Sequence, residues 1–442
     1  MGFSDRWFQL FVAWLFFASI LLSCGSDDSA ESGGPSVGEP EDVLQLLVGS
    51  AERAAVDDEA ATTGGELITA VGADLYGELR ADADGNLAVS PYSIVSALAM
   101  TRAGAAGTTA AEMDTVLHSD LVDDLDAAIG SLDGALSTRP GTFPMPEGDP
   151  VEIELSFGNA LWPQQGFEFE ASFLDTLVEH YGTGVYAVDY VTDSERARSA
   201  INEWVSDQTQ QRIPELITPG VLDDLTRLVL TNAVYLNAPW QFPFQDGATA
   251  DAEFGLLDGT TVDTPVMHLS ESLGYAIGDS WQAVALPYVE GDLAMVVLVP
   301  DAGEFDAVEA ALGADLIAEV QAGLTANQVN LALPKWEFRA QTDLKAPLAS
   351  LGMPSAFSDS ADFSNMSSGP LFISDVLHEV FVSVDERGTE AAAATAVAMS
   401  LTAAPADPPI DLVVNRPFLF WITDQPTGAA LFLGRLLDPT QS

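Results

Sequence analysis

Val384-Asp385-Glu386-Arg387-Gly388-Thr389-Glu390-Ala391-Ala392-Ala393-Ala394-Thr395-Ala396-Val397-Ala398-Met399-Ser400-Leu401 is the stretch on which the fold turns. Alanine has the best helix propensity, so one reading is an Ala-rich helix. The period of the run argues for another. Taken alternately from Thr389, one face carries Thr389, Ala391, Ala393, Thr395, Val397, Met399 and Leu401. The other carries Glu390, Ala392, Ala394, Ala396, Ala398, Ser400 and Thr402. The larger apolar groups gather on one side at period two, the pattern of a strand with that face buried. The run then ends in Ala403-Ala404-Pro405-Ala406-Asp407-Pro408-Pro409. Such a segment cannot lie within a central sheet, because proline lacks the amide hydrogen that a ladder needs. Composition leaves two readings open: a helix followed by a linker, or an exposed loop competent to become a strand. Small side chains would let such a loop slip between existing strands at little steric cost.

Outward from this run, the 442 residues carry 67 Asp and Glu against 15 Lys and Arg, a formal charge of -52. That excludes a nucleic-acid binder of the basic-groove kind, which gains affinity by neutralising phosphates. With 48% hydrophobic residues the chain is also too apolar for a disordered acidic tail. The acids read as a solvated shell that favours solubility. The sole cysteine, Cys24, excludes a disulfide framework, a cysteine-ligated zinc site and a CxxC redox pair. It follows Arg6 and a 16-residue apolar run, 7–22, about the length of a secretory h-region and shorter than the roughly 20 residues of a membrane-spanning helix. The ending Leu21-Leu22-Ser23-Cys24 resembles a bacterial lipoprotein signal, with Cys24 as the lipidated amino terminus. Asp5 beside Arg6 departs from that pattern, and Gly25 in place of Asp resembles lipoproteins sent on to an outer membrane or cell surface. The expected organisation is a signal peptide over 1–23, a flexible acidic tether over 24–62, and one large domain over 63–442.

Helical periodicity is expected over 67–80, 92–104, 172–181 and 194–211. Strands are expected over 228–236, 282–286, 294–299, 329–333 and 413–422. Catalytic chemistry is not apparent. His118, His180, His268 and His378 form no HExxH arrangement, and no GxSxG elbow, Walker loop or GxGxxG cradle occurs. Carboxylate pairs such as Asp223-Asp224 carry no information in so acidic a chain. The expectation is a protein that is not an enzyme and takes no cofactor and no metal.

The run from Glu386 to Thr395 resembles the hinge of inhibitory serpins, the serine protease inhibitors with a mobile reactive-centre loop, and other motifs follow in the order of that family. Asn86-Leu87-Ala88-Val89-Ser90-Pro91-Tyr92-Ser93 is similar to the start of its second helix. Thr231-Asn232-Ala233-Val234-Tyr235-Leu236 with Trp240 resembles a central strand leading to the breach. Leu333-Pro334-Lys335, Leu351-Gly352-Met353, Ala361-Asp362-Phe363-Ser364, the run Ile373 to Glu379, Arg416-Pro417-Phe418-Leu419-Phe420 and Gly434-Arg435 complete the series. The resemblance spans about 66–439.

It implies an α+β serpin fold, a multi-helix domain with three β-sheets and an exposed reactive-centre loop over about 386–411. It implies a suicide inhibitor of serine endopeptidases that traps the protease as an acyl-enzyme when the cleaved loop inserts into the main sheet. The hinge comprises Glu386, Gly388, Thr389, Glu390, Ala391, Ala392, Ala393, Ala394 and Thr395. None of Thr389, Ala391 and Ala393 is a proline or a charge that would block burial, which favours an inhibitor over a non-inhibitory serpin-fold surface lipoprotein acting as a binding module. Counting fourteen residues on from Gly388, as in inhibitory serpins, places the scissile bond at Thr402-Ala403; counting back from Pro417 suggests one near Ala406-Asp407. Small residues there suit elastase-like or subtilisin-like proteases, Leu401 would suit chymotrypsin-like ones, and no Arg or Lys stands between Arg387 and Arg416 to suit trypsin-like ones. Ser90, Ser93, Asn232 and His378 match the shutter, a hydrogen-bonded cluster that holds the sheet closed. Trp240 matches the breach, and Lys335 and Glu386 match an ion pair that restrains premature opening. The expected partners are a serine protease or a papain-like cysteine protease, and the membrane through the Cys24 lipid. No nucleic acid and no heparin are expected, and the chain is expected to be a monomer.

Overall fold

The computed structural model describes residues 43–145, 149–390 and 408–441. Cys24, the 391–407 stretch and therefore Ala391 to Thr395 and the Thr402-Ala403 bond lie outside the described residues. Eighteen strands in three sheets and nine α-helices make up the described chain.

The main sheet has seven strands: β3 (Gly141–Phe143), β4 (Val151–Phe157), β5 (Ala160–Pro163), β7 (Leu228–Pro239), β13 (Trp336–Asp343), β14 (Asp375–Val384) and β15 (Gly388–Thr389). A nine-stranded sheet runs β16 (Ile410–Val413), β12 (Thr325–Pro334), β9 (Thr261–Gly278), β10 (Trp281–Pro287), β11 (Leu293–Pro300), β17 (Phe418–Asp424), β18 (Ala430–Leu436) and β2 (Leu87–Val89), with β8 (Ala250–Gly255) paired to β9. The third sheet pairs β1 (Gln45–Leu47) with β6 (Val185–Ala187). The helices are α1 (Asp58–Leu79), α2 (Pro91–Ala103), α3 (Gly107–Val116), α4 (Leu125–Leu136), α5 (Ala171–Thr176), α6 (Tyr190–Gln208), α7 (Phe305–Ala310), α8 (Ala314–Gly323) and α9 (Lys345–Leu351).

Sequence chemistry explains the elements that frame the main sheet. Ser90 stands at the N-cap of α2, where its Oγ accepts from the Ser93 amide at 3.3 Å, and Pro91 fills the first turn, where its missing N–H costs nothing. β7 and β14 read as nearly continuous apolar runs because both of their faces are covered. One face lies on the principal core, which includes Leu230, Val234, Val376 and Val380. The other lies under α6, in a second cluster that joins Trp162, Ile201, Val205, Val229, Ala233 and Leu377.

Two expectations change. The run 413–422, expected as one strand, is divided: β16 ends at Val413 and β17 begins at Phe418, because Asn415-Arg416-Pro417 breaks the ladder. The domain, expected from residue 63, starts earlier: α1 begins at Asp58, and residues 43–57 are fastened to the body.

Candidate functional site

β14 and β7 meet in two ways along their length. Over their lower part they pair directly and in parallel, from Asp375 opposite Val229 to Val380 opposite Val234. At their head they diverge, and β15 stands between them. Thr389 faces Val384 on one side and Ala238 on the other, and Gly388 faces Pro239. The residues of the Glu386 to Glu390 run thus already occupy the first rung of a slot. Gly388 is required there, since a Cβ on it would lie 2.2 Å from the Ala238 carbonyl oxygen. Thr389 is buried, and its Oγ1 lies 2.6 Å from the Tyr288 hydroxyl. Burial holds that phenol well above its ordinary pKa, so it stays a neutral partner.

Trp240 closes the top. Its ring stacks on Tyr288 at 4.5 Å between centroids, and its Nε1 donates to the Asp385 carbonyl at 3.0 Å. The Trp240 amide donates to the Arg387 carbonyl at 2.8 Å, and the Phe244 amide to that of Glu386 at 2.8 Å. Lys335 Nζ reaches Glu386 Oε2 at 2.6 Å, while Thr249 Oγ1 donates to Oε1 at 2.7 Å. Burial alone would raise the Glu386 carboxyl, but the bonds from Lys335 and Thr249 outweigh it and hold the group below its ordinary range. Glu390, the last described residue of this run, has a left-handed φ of 55°. Its side chain pairs with Arg212, yet burial raises the carboxyl to about 7, with Glu337 and Glu154 adding like charge.

Lower down, fully buried His378 ties the slot to α2. Its Nε2 accepts from the Ser90 amide at 3.0 Å, which leaves Nδ1 to donate to the Asn232 carbonyl at 3.1 Å. A ring that accepts at one nitrogen and donates at the other is neutral, and burial lowers its pKa to about 4. Main-chain atoms supply both bonds to the His378 ring. Ser90 contributes its main-chain N–H while its hydroxyl caps α2, and the Ser93 hydroxyl donates to Asn159 Oδ1. Asn232 contributes its carbonyl, and its buried amide side chain has no hydrogen-bond partner among the described residues.

The structure therefore brings Glu386, Gly388, Thr389, Trp240 and Lys335 together at the head of the slot, with Ser90, Asn232 and His378 beneath it. Tyr288, Thr249, Asn159 and Arg212 escaped sequence reading. Tyr288 is 101 residues from Thr389, and no local pattern joins them.

The family model described as Serpin (serine protease inhibitor) matches residues 66–439. The chain belongs to the serpin family. This serpin is 38% identical over 366 residues to the leukocyte elastase inhibitor of Sus scrofa, covering 80% of the present chain and 93% of that protein. It is 39% identical over 368 residues to an uncharacterized serpin-like protein of Thermococcus kodakarensis, covering 83% of each chain. Among solved structures, the thermophilic serpin tengpin in its native state superposes with a TM-score of 0.75 at 26% identity, covering 89% of this chain and 99% of that one. The serpin fold and kinship with protease inhibitors are thereby shown for this chain.

Proposed function

We propose that this serpin is a suicide inhibitor of elastase-like or subtilisin-like serine proteases. The observation that carries the reading is β15: two residues of the hinge already lie between β14 and β7, which pair with each other directly below. Extending the pairing of Thr389 with Val384 and Ala238 down both strands puts Thr395 level with His378 and Asn232, and Ala398 level with Asp375 and Val229. Nine residues beyond Thr389 descend about 30 Å. Thr402 then falls just past the start of β14, which favours cleavage at Thr402-Ala403 over Ala406-Asp407, since the later bond would leave more slack between slot and protease. In the proposed reaction the protease's seryl oxygen adds to the Thr402 carbonyl carbon and the C–N bond to Ala403 breaks. The Ala403 nitrogen leaves as a protonated amine, and the ester persists while the loop inserts and drags the protease from its working geometry.

Kinship with a leukocyte elastase inhibitor and a loop without Arg or Lys support the choice of target. We further propose anchoring through lipid on Cys24, on the strength of the sequence, with display at an outer membrane or cell surface. The test incubates the full-length chain with pancreatic elastase, chymotrypsin, trypsin and subtilisin, followed by denaturing gels and intact mass. A boiling-resistant complex with elastase or subtilisin and a released carboxyl-terminal peptide starting at Ala403 is the expected result. Loop cleavage without a complex overturns the inhibitory reading. For the anchor, a fatty-acid mass on Cys24 that is lost in Cys24→Ser is expected, and an unmodified Cys24 overturns it.

A further inference from the structure

The family match starts at residue 66, yet the described chain starts at residue 43, and the segment between them is tied to the body by repeated contacts. β1 lies antiparallel to β6, with Gln45 opposite Ala187 and Leu47 opposite Val185. Asp175 Oδ1 accepts from the Ser50 amide at 2.6 Å, the Ser50 hydroxyl at 3.2 Å and the Ala51 amide at 3.2 Å. The Ala54 amide donates to the Glu179 carbonyl at 2.8 Å. Arg53 then crosses to α4, reaching Asp133 at 2.7 Å and the Gly130 carbonyl at 3.3 Å. Asp57 receives the Ala60 amide at 2.9 Å as the cap of α1. Glycines make room on both sides of this strap. A Cβ would lie 2.5 Å from the Leu174 and Asp175 backbone at Gly49, 2.0 Å from the Leu47 carbonyl at Gly184, and 2.2 Å from the Arg53 guanidinium at Gly182.

The strap spans two parts of the molecule that insertion must separate. Opening the slot moves β7 away from β14. β5 is bonded to β7, from Ala160 opposite Thr231 to Pro163 opposite Leu228. It passes that motion to β6 through the Val188 amide on the Pro163 carbonyl at 3.0 Å and the Gln165 amide on the Val188 carbonyl at 2.7 Å. α1 stays with the nine-stranded sheet, because Gly65 sits against the Thr427 carbonyl in the turn before β18, and α4 is packed on Gly64 of α1. One end of the strap is therefore bonded to β6 and α5, and the other to α4 and α1, with α4 also meeting the His180 carbonyl at Gly130.

On the reading that the loop inserts, we infer that residues 43–57 are a brake on opening of the main sheet. While the strap is seated, β6 cannot move from α4 without breaking its bonds to Asp175 or Asp133. Releasing the strap accelerates insertion of the uncleaved loop, and the inhibitor inactivates itself.

The test compares the full-length chain with its Asp175→Ala and Gly49→Val variants at physiological temperature. Urea-gradient gels follow conversion to a urea-resistant monomer, and residual trapping of elastase is measured in parallel. Both variants are expected to begin with unchanged trapping and to convert at least about tenfold faster, the factor expected for losing hydrogen bonds to a charged group. A synthetic peptide of residues 43–57 slows conversion of Gly49→Val. Unchanged conversion, with limited proteolysis showing the segment released, overturns the inference. Faster loss by aggregation that the peptide does not slow overturns it as well. A chain that traps no protease at all refutes the proposed function instead, and the gels still report on the brake.

Discussion

Substituting Thr395 with arginine tests the slot at its most constrained level. In the proposed inserted state, extending the register of Thr389 would set this residue between His378 and Asn232, both fully buried, on the same face as Thr389. His378 is neutral, with its pKa lowered to about 4, and both its ring nitrogens are already engaged. A guanidinium arriving there would meet no carboxylate of the shutter and would stand as an uncompensated buried charge, which costs about 3–5 kcal/mol. If half of that cost is felt before the protease is displaced, insertion slows by at least about tenfold, at about 1.4 kcal/mol per decade of rate. Deacylation of the bound protease is unaffected, so the ratio of cleaved to complexed inhibitor rises by the same factor. Gels of Thr395→Arg against elastase, quantified at increasing molar ratios, read that partition directly. Thr395→Ser, which keeps a small hydroxyl residue beside the unpartnered Asn232 amide, retains the partition of the unmodified chain. A Thr395→Arg protein that traps with an unchanged ratio, while cleaved at an unchanged rate, refutes both the register and the buried slot.

Three further outcomes follow from the site. The folded pKa of His378 is about 4 against an ordinary 6.5, so its contribution is full above 6.5 and is lost as pH falls toward 4, roughly 3 kcal/mol in all. Urea midpoints should fall across that window, and His378→Gln should flatten the fall. Glu390 has the opposite sign: its folded pKa of about 7 lies above the ordinary 4.5, so hinge seating is fully favoured below 4.5 and weakens as pH rises from there to 7. Amide exchange at Thr389 should quicken between pH 4.5 and 7 in the parent and show no such rise beyond the intrinsic exchange rate in Glu390→Gln. Lys335→Glu removes the ammonium that lies 2.6 Å from Glu386 and faces it with a second carboxylate, and spontaneous conversion or polymerisation should accelerate about tenfold, read by native gels.

Much of the architecture was legible beforehand because it rests on local signals. Alternation marked the hinge as strand-competent, the Ser90-Pro91 pair marked the start of α2, and apolar runs marked β7, β10 and β11. The order of motifs identified which residues would gather at the breach, and Trp240, Lys335 and Glu386 do meet there. Residue types and spacing therefore dictated where the Gly388-Thr389 strand forms and which residues gather beside it.

Only the folded chain decided how the gate is held. Main-chain atoms hold His378: an amide of Ser90 and a carbonyl of Asn232, groups that every residue possesses and no sequence pattern distinguishes. Tyr288 reaches Thr389 across 101 positions because β10 ends beneath the breach. The segment 43–57, assigned to the tether, carries Val43, Leu44, Leu46, Leu47, Val48 and Val56, and it pairs with β6 and caps α1, because an open strand edge and an uncapped helix start offer unsatisfied donors and acceptors that its backbone and Asp57 fill. Side-chain chemistry declares itself in a sequence. Backbone hydrogen bonds between distant segments appear only when topology brings the two ends together.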